Sequence, residues 1–205
     1  KFDEGWPLYK KHRWNDQVKK PTIPGIEWDG SQNLKEKTIL IYKEQGFGDV
    51  FQFIRYAKMI KAMGAKIITI SHPPIEKIIR LCPYIDLVTN FGERIPKFDY
   101  NIALTDLPFA FKTNEQTIPN DIPYLYANEK LINFWKNKLK KDTNFKVGLC
   151  WEGKSLITSS FYPRGTNDRS IPIELFKPLA QIQGISLYSL QKTSADQFYR
   201  LWSEG

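Results

Sequence analysis

Short runs of β-branched and aliphatic residues, separated by segments of helical period, constrain this chain more than any other feature. Thr38–Tyr42 (TILIY) is apolar at nearly every position, the pattern of a strand buried on both faces. After the loop KEQGFG, the stretch VFQFIRYAKMIKAM places Val50, Phe53, Ile54, Ala57 and Ile60 at helical spacing. Asp49 stands at its N-cap position, and Gly64 is a C-terminal residue suited to a left-handed conformation. A second apolar run, Lys66–Ser71 (KIITIS), leads into a proline-opened helix over Pro73–Leu81, and further strands fall at Ile85–Thr89 and Asp99–Ala103. A β-α-β-α-β order requires a Rossmann-like parallel sheet with helices on both faces and right-handed crossovers.

The flanks are less regular. The first twenty residues read as an amphipathic helix anchored by Trp6, Tyr9 and Trp14, followed by a Pro-Gly linker, KKPTIPGIEWDG. Leu104–Tyr126, rich in proline and aromatics, reads as an irregular wrap over the sheet edge. A helix over Asn128–Lys141, a strand at Lys146–Trp151, a helix near Ile173–Ile182 and a strand at Ile185–Leu190 open a second βαβ unit, which the chain leaves unfinished. The expected organisation is a helical segment and linker (1–30), a Rossmann-like domain (31–126), and a linking helix with an incomplete second Rossmann-like domain (127–205). The chain does not begin with Met, and it reads as a soluble, cytoplasmic piece of something longer.

Composition narrows the function classes. The 205 residues carry a net charge of +8, a balance suited to phosphate-bearing ligands, although the lysines of Asn128–Asp142 read first as a solvated helical face. No run approaches the ~18 apolar residues of a transmembrane helix, and no signal peptide opens the chain. Cys82 and Cys150 lie in apolar surroundings and read as buried thiols. His12 and His72 have no partner at metal-ligand spacing.

The loop Tyr42–Asp49 (YKEQGFGD) carries the chemistry. In an open parallel sheet, ligands bind outside the carboxyl ends of strands, and the first such loop is a favoured place. Gly46 and Gly48 allow close approach of backbone to a ligand. The loop is neither a GxGxxG dinucleotide fingerprint nor a phosphate-binding P-loop. Asp49 has two open readings, helix cap or general base toward an acceptor hydroxyl, and Glu44 is either a solvated loop acid or a second functional carboxylate. The polar loop Trp151–Ser170 carries Lys154, Arg164 and Arg169, with Ser170 a candidate N-cap and Glu174 in the following turn. Lys192 follows the last strand, again on the carboxyl side, where it either faces a diphosphate or lies exposed. Glu44, Gln45, Gly46, Gly48, Trp151, Arg169 and Ser170 are therefore the candidate substrate-binding residues, and Asp49 and Lys192 the candidate catalytic ones.

EQGFGDVFQFIRY, with TILIY before it and GAKIITISHPPIEKIIR after it, resembles the heptosyltransferase-like domain of bacterial tetratricopeptide-repeat glycosyltransferases. FDYNIALTDLPFAF, EQTIPNDIPYL, KVGLCWEG, NDRSIPIELFKPL and ISLYSLQK extend the resemblance over nearly the whole chain, and FDEGWPLYKKHRW with EWDGS resembles the junction after the last repeat. The resemblance implies a GT-B fold, with acceptor bound by the first domain and nucleotide-sugar by the second. The implied reaction is inverting and needs neither metal nor cofactor. It places the proton-accepting Asp on Asp49, the turn glycines on Gly46 and Gly48, and a Lys assisting the leaving diphosphate on Lys192. The implied partners are a nucleotide-sugar donor and a glycan, lipid-linked or protein acceptor.

Two departures stand out. SLITSSFYPR is additional to the family pattern, which leaves Lys154 and Ser155 unmatched, and no HLAGALG-like donor signature is present. This chain by itself is therefore not expected to turn over efficiently, and a missing segment or partner chain is expected to cover the second domain. The alternative is a non-catalytic interaction module derived from such a domain. Nucleic-acid binding is a third reading, which the charge favours and the lack of an RRM, KH or helix-turn-helix pattern opposes.

Overall fold

The computed structural model of the protein describes residues 1–14, 20–44, 46–152 and 170–191. The chain divides into two compact units, Lys1–Ile132 and Asn133–Gly205.

The first unit is an α/β domain of Rossmann-like class. Its elements are α1 (Phe2–His12), β1 (Ile26–Glu27), β2 (Thr38–Tyr42), α2 (Phe47–Phe53), α3 (Arg55–Ala62), β3 (Lys66–Ile70), α4 (Glu76–Ile79), β4 (Leu87–Thr89), β5 (Tyr100–Ala103) and α5 (Leu107–Ala110). Among the described residues the sheet has five strands in the order β1-β5-β2-β3-β4, every pair parallel. β2 is central, and its side chains alternate between two apolar layers. Ile39 and Ile41, with Ile67 of β3, face the layer containing Val50, Ile54, Ala57 and Ile60 of the following helices. Leu40 and Tyr42, with Ile68 and Ile70, face a smaller layer closed by Ile23, Ile95 and Phe98. Burial on both faces is why TILIY shows no polar alternation.

The helical segment after the GFG turn is two helices, with the junction at Ile54, and Gly64 takes the expected left-handed conformation (φ +85°). The segment expected as a Pro-Gly linker contributes structure instead. Ile26 and Glu27 pair with Tyr100 and Asn101, and the Asn101 Nδ2 donates to the carbonyls of Pro24 (3.1 Å) and Ile26 (3.3 Å). Trp28 and Leu34 are fully buried behind it. A two-residue strand made by one buried Asn leaves no periodic trace in a sequence.

α6 (Glu129–Lys138) spans the boundary between the units. In the second unit, β6 (Phe145–Leu149) and β7 (Ile185–Ser189) pair in parallel around a small core of Leu149, Trp151, Ile173 and Leu187, and a 3-10 turn at Ile173–Phe176 leads into α7 (Lys177–Ala180). Among the described residues, no helix is long and apolar enough to cross a membrane.

Candidate functional site

From β2 the chain winds outward through β3 to β4 on one side, while β5 lies on the other. The connections leaving the carboxyl ends of β2 and β5 run side by side on one face of the sheet: α2 touches the 3-10 turn Leu104–Asp106, and Val50, Ile54, Leu104 and Leu107 share the larger core layer. Glu44 follows β2 at this edge, and Thr105 and Asp106 follow β5 in the 3-10 turn. The two sides meet: the Thr105 hydroxyl donates to both Glu44 oxygens (2.7 and 2.9 Å), and the Thr105 amide donates to Oε2 at 3.3 Å.

Arg13, just past α1, fills the gap between the carboxylates. Its Nε donates to Glu44 Oε1 at 2.8 Å and its Nη1 to Asp106 Oδ1. The three side chains are 6%, 2% and 1% exposed, so the cluster is dry. Burial raises the Glu44 carboxyl above its ordinary pKa, and the Thr105 hydrogen bonds and the Arg13 charge only partly offset this. Burial works against the Arg13 charge, but Asp106 and Glu44 outweigh it and raise its pKa. Burial also raises the Tyr42 hydroxyl, as do Glu27, Glu44 and Asp106 around it. Glu44 is thus neither a solvated loop acid nor open to a substrate. It is the hydrogen-bonded anchor of the turn.

Gly46, Gly48 and Asp49 form the exposed part of that turn; Gln45 lies outside the described residues. Gly46 is extended (φ −70°, ψ 174°) and is itself the N-cap of α2. Asp49, expected at the N-cap, instead stands three residues into the helix, and its Oδ2 accepts the Gly46 amide hydrogen at 2.9 Å. The helix starts early because Phe47 packs on the large core layer and edge-on to His72, with ring centroids 4.9 Å apart. Asp49 is half-buried, and among the described residues it is the Gly46 amide that donates to its carboxylate.

Gly48 also forms part of the wall of a cavity of about 410 Å³ between α1, the α2–α3 pair and the segment after α5. Phe2, Trp6, Phe51, Phe53, Tyr56 and Tyr124 make that cavity largely aromatic, with Arg55 and Gln52 its longer polar side chains. The Arg55 guanidinium lies 4.3 Å over the Tyr124 ring and donates to the Pro119 carbonyl. Volume and lining are those of a small-molecule or side-chain site.

In the second unit, Trp151 is 4% exposed and belongs to the core, so its ring contributes packing. Ser170 is half-buried, and Pro172 rather than Ser170 caps the 3-10 turn, because Ile173 must start it to reach the core. Cys150, expected buried, is exposed with its Sγ 3.4 Å from Gln191 Oε1; Cys82 is buried, and burial raises its thiol. Lys154, Ser155, Arg164, Arg169 and Lys192 lie outside the described residues. What sequence reasoning passed over is Gln191. Its Oε1 accepts the amides of Trp151 (3.2 Å) and Glu152 (3.1 Å), and its Nε2 donates to the Glu152 carbonyl (3.0 Å), which ties together the carboxyl ends of β6 and β7.

Arg13, Thr105 and Asp106 were equally passed over, and the last two carry no local signal in the sequence. A signal for Arg13 did exist: Trp6, Lys10 and Arg13 recur at helical i, i+4, i+7 spacing, and all three dock. Among the described residues, no group of three or more His, Cys, Asp or Glu is placed to hold a metal ion.

Fold and site together define an α/β protein of Rossmann-like class with a buried Arg13–Glu44–Asp106 cluster at the carboxyl edge of a parallel sheet. Over 92% of its length the chain is 26% identical to Protein FlbA of Caulobacter vibrioides, and it spans about a third (34%) of that protein. No family model and no solved structure matches it.

Proposed function

We propose that this chain is the acceptor-side part of a glycosyltransferase, with the opening of its donor-side domain, and that Asp49 is the general base. The observation that carries this reading is the position of Asp49. It is a half-buried carboxylate in the helix that follows the central strand of a parallel sheet, held by the Gly46 amide, one residue from the wall of an aromatic cavity. The GFGD turn and its flanks, which resemble the heptosyltransferase-like domain, support the same assignment.

In the proposed reaction, an acceptor hydroxyl attacks the anomeric carbon of a nucleotide-sugar from the face opposite the diphosphate. A bond forms between acceptor oxygen and anomeric carbon, the bond from that carbon to the phosphate oxygen breaks, and the nucleoside diphosphate leaves with the bonding pair. Asp49 takes the hydroxyl proton and later releases it to solvent. Lys192 is the proposed partner of the leaving diphosphate. The Gly46 hydrogen bond occupies one Asp49 oxygen, and the other is the proposed proton acceptor.

The test is sugar transfer by the protein as its source makes it, compared with Asp49→Asn. Loss of a general base lowers turnover by about 10²- to 10⁴-fold. Unchanged turnover in the variant removes Asp49 from this role. If the unaltered protein neither turns over nor binds nucleotide-sugars, the chain is an interaction module instead.

A further inference from the structure

We infer that Arg13 is a positioning residue for Asp49: from the end of α1 it sets the direction in which the GFGD turn leaves the sheet. The inference rests on the proposed role of Asp49, but the geometry that motivates it is independent of any reaction.

Three side chains on one face of α1 seat the helix on the domain. Trp6 Nε1 donates to the Thr113 carbonyl at 2.8 Å. Lys10 Nζ lies 2.6 Å from Glu27 Oε1 and 5.0 Å from the centre of the Phe109 ring. Arg13 holds Glu44 and Asp106 together. The guanidinium lies 4.6 Å from the Trp14 ring centre and 5.5 Å from that of Tyr9, which exclude water from its faces. In so dry a place, charge-assisted hydrogen bonds are strong and strongly directional.

Glu44 is two residues before Gly46, the N-cap that holds the Asp49 carboxylate. Both Glu44 oxygens are occupied, by Arg13 from α1 and by Thr105 from β5, so its side chain has one orientation. An apolar trio would fill this space with comparable stability, because desolvating buried ions offsets much of their attraction. What the ionic arrangement adds is a forked geometry that packing alone does not supply. An N-terminal helix outside the β-α-β core thereby holds the loop that carries the proposed base.

Arg13→Lys keeps the charge and loses the fork. In the 205-residue chain, hydrogen exchange of the peptide spanning residues 43–50 should accelerate at least about tenfold, while the peptide spanning β3 keeps its rate. In the protein as its source makes it, kcat should fall about 10- to 100-fold with the KM for nucleotide-sugar unchanged, as expected when a catalytic group is misplaced. Should Arg13→Lys fail to fold, the triple variant Arg13→Met, Glu44→Gln, Asp106→Asn removes the buried charges together, and the same exchange ratio decides. Exchange of 43–50 at the wild-type rate in the folded variant overturns the inference. Accelerated exchange in a protein that shows no transfer even when unaltered would leave Arg13 as the anchor of the turn and sink the glycosyltransferase reading alone.

Discussion

The Asp49 carboxylate accepts the amide hydrogen of Gly46 at 2.9 Å through one oxygen, so the side chain closes the first turn of α2 and still has a second oxygen. The two readings of Asp49 open at the level of sequence, cap and base, are therefore compatible, and substitutions can separate them. Asp49→Asn retains an oxygen for the Gly46 amide and should hold the melting temperature within about 1–2 °C. Asp49→Ala loses the bond and should destabilise the domain by about 1 kcal/mol. Thermal unfolding followed by far-UV circular dichroism checks both; equal losses in the two variants would show that the carboxylate charge, not the hydrogen bond, stabilises the turn.

Glycine is needed at Gly30 and not at Gly48. Gly30 has φ +95°, and a Cβ there would sit 2.1 Å from the Ala110 carbonyl oxygen, whereas a Cβ at Gly48 meets nothing within 4 Å. Gly30→Ala should destabilise by at least about 2 kcal/mol. Gly48→Ala should be neutral or stabilising by about 0.5 kcal/mol, and Gly48→Trp, reaching into the cavity, should weaken acceptor use without unfolding the protein. Urea midpoints rank the three variants.

The edge strand β1 depends on one carboxamide. Asn101 is 3% exposed, and its Nδ2 serves two carbonyls of the 24–26 segment. Asn101→Leu should cost about 1–3 kcal/mol, the range for leaving buried polar partners unpaired. Exchange protection should be lost first at the Trp28 amide, which bonds the Asn101 carbonyl at 2.8 Å. Uniform loss across the sheet would instead mean that β1 and the central strands open as one.

Acid should loosen α1. Burial alone would raise the Glu27 carboxyl, but Lys10 and Lys20 outweigh it and hold its pKa below the ordinary 4.5. A carboxylate depressed in the folded state contributes stability above its unfolded pKa and loses it as pH falls through the folded value. Melting temperature should therefore drop as pH is lowered from about 4.5, and Glu27→Gln should be less stable at neutral pH while showing a shallower decline in that window. A Glu27→Gln curve parallel to the parent's would show that other carboxylates carry the acid response.

By itself the sequence determined the parallel α/β core and the location of the turn. TILIY and KIITI carry apolar residues at successive positions because both sheet faces are covered, and that pattern survives without knowledge of neighbours. The GFGD loop could be placed at a carboxyl edge for the same reason: its strand and helix are local, periodic features. Only the tertiary structure decided what Glu44 does, because its partners Arg13 and Thr105 lie 31 and 61 residues away and no local period links them. It also turned part of the expected linker, Ile26–Glu27, into an edge strand through one buried Asn, and set Trp151 in the small core of the second unit. Burial and pairing of isolated polar side chains depend on which strands become neighbours. The order β5-β2-β3, which sets the residues after β5 beside those after β2, is a property of the assembled sheet.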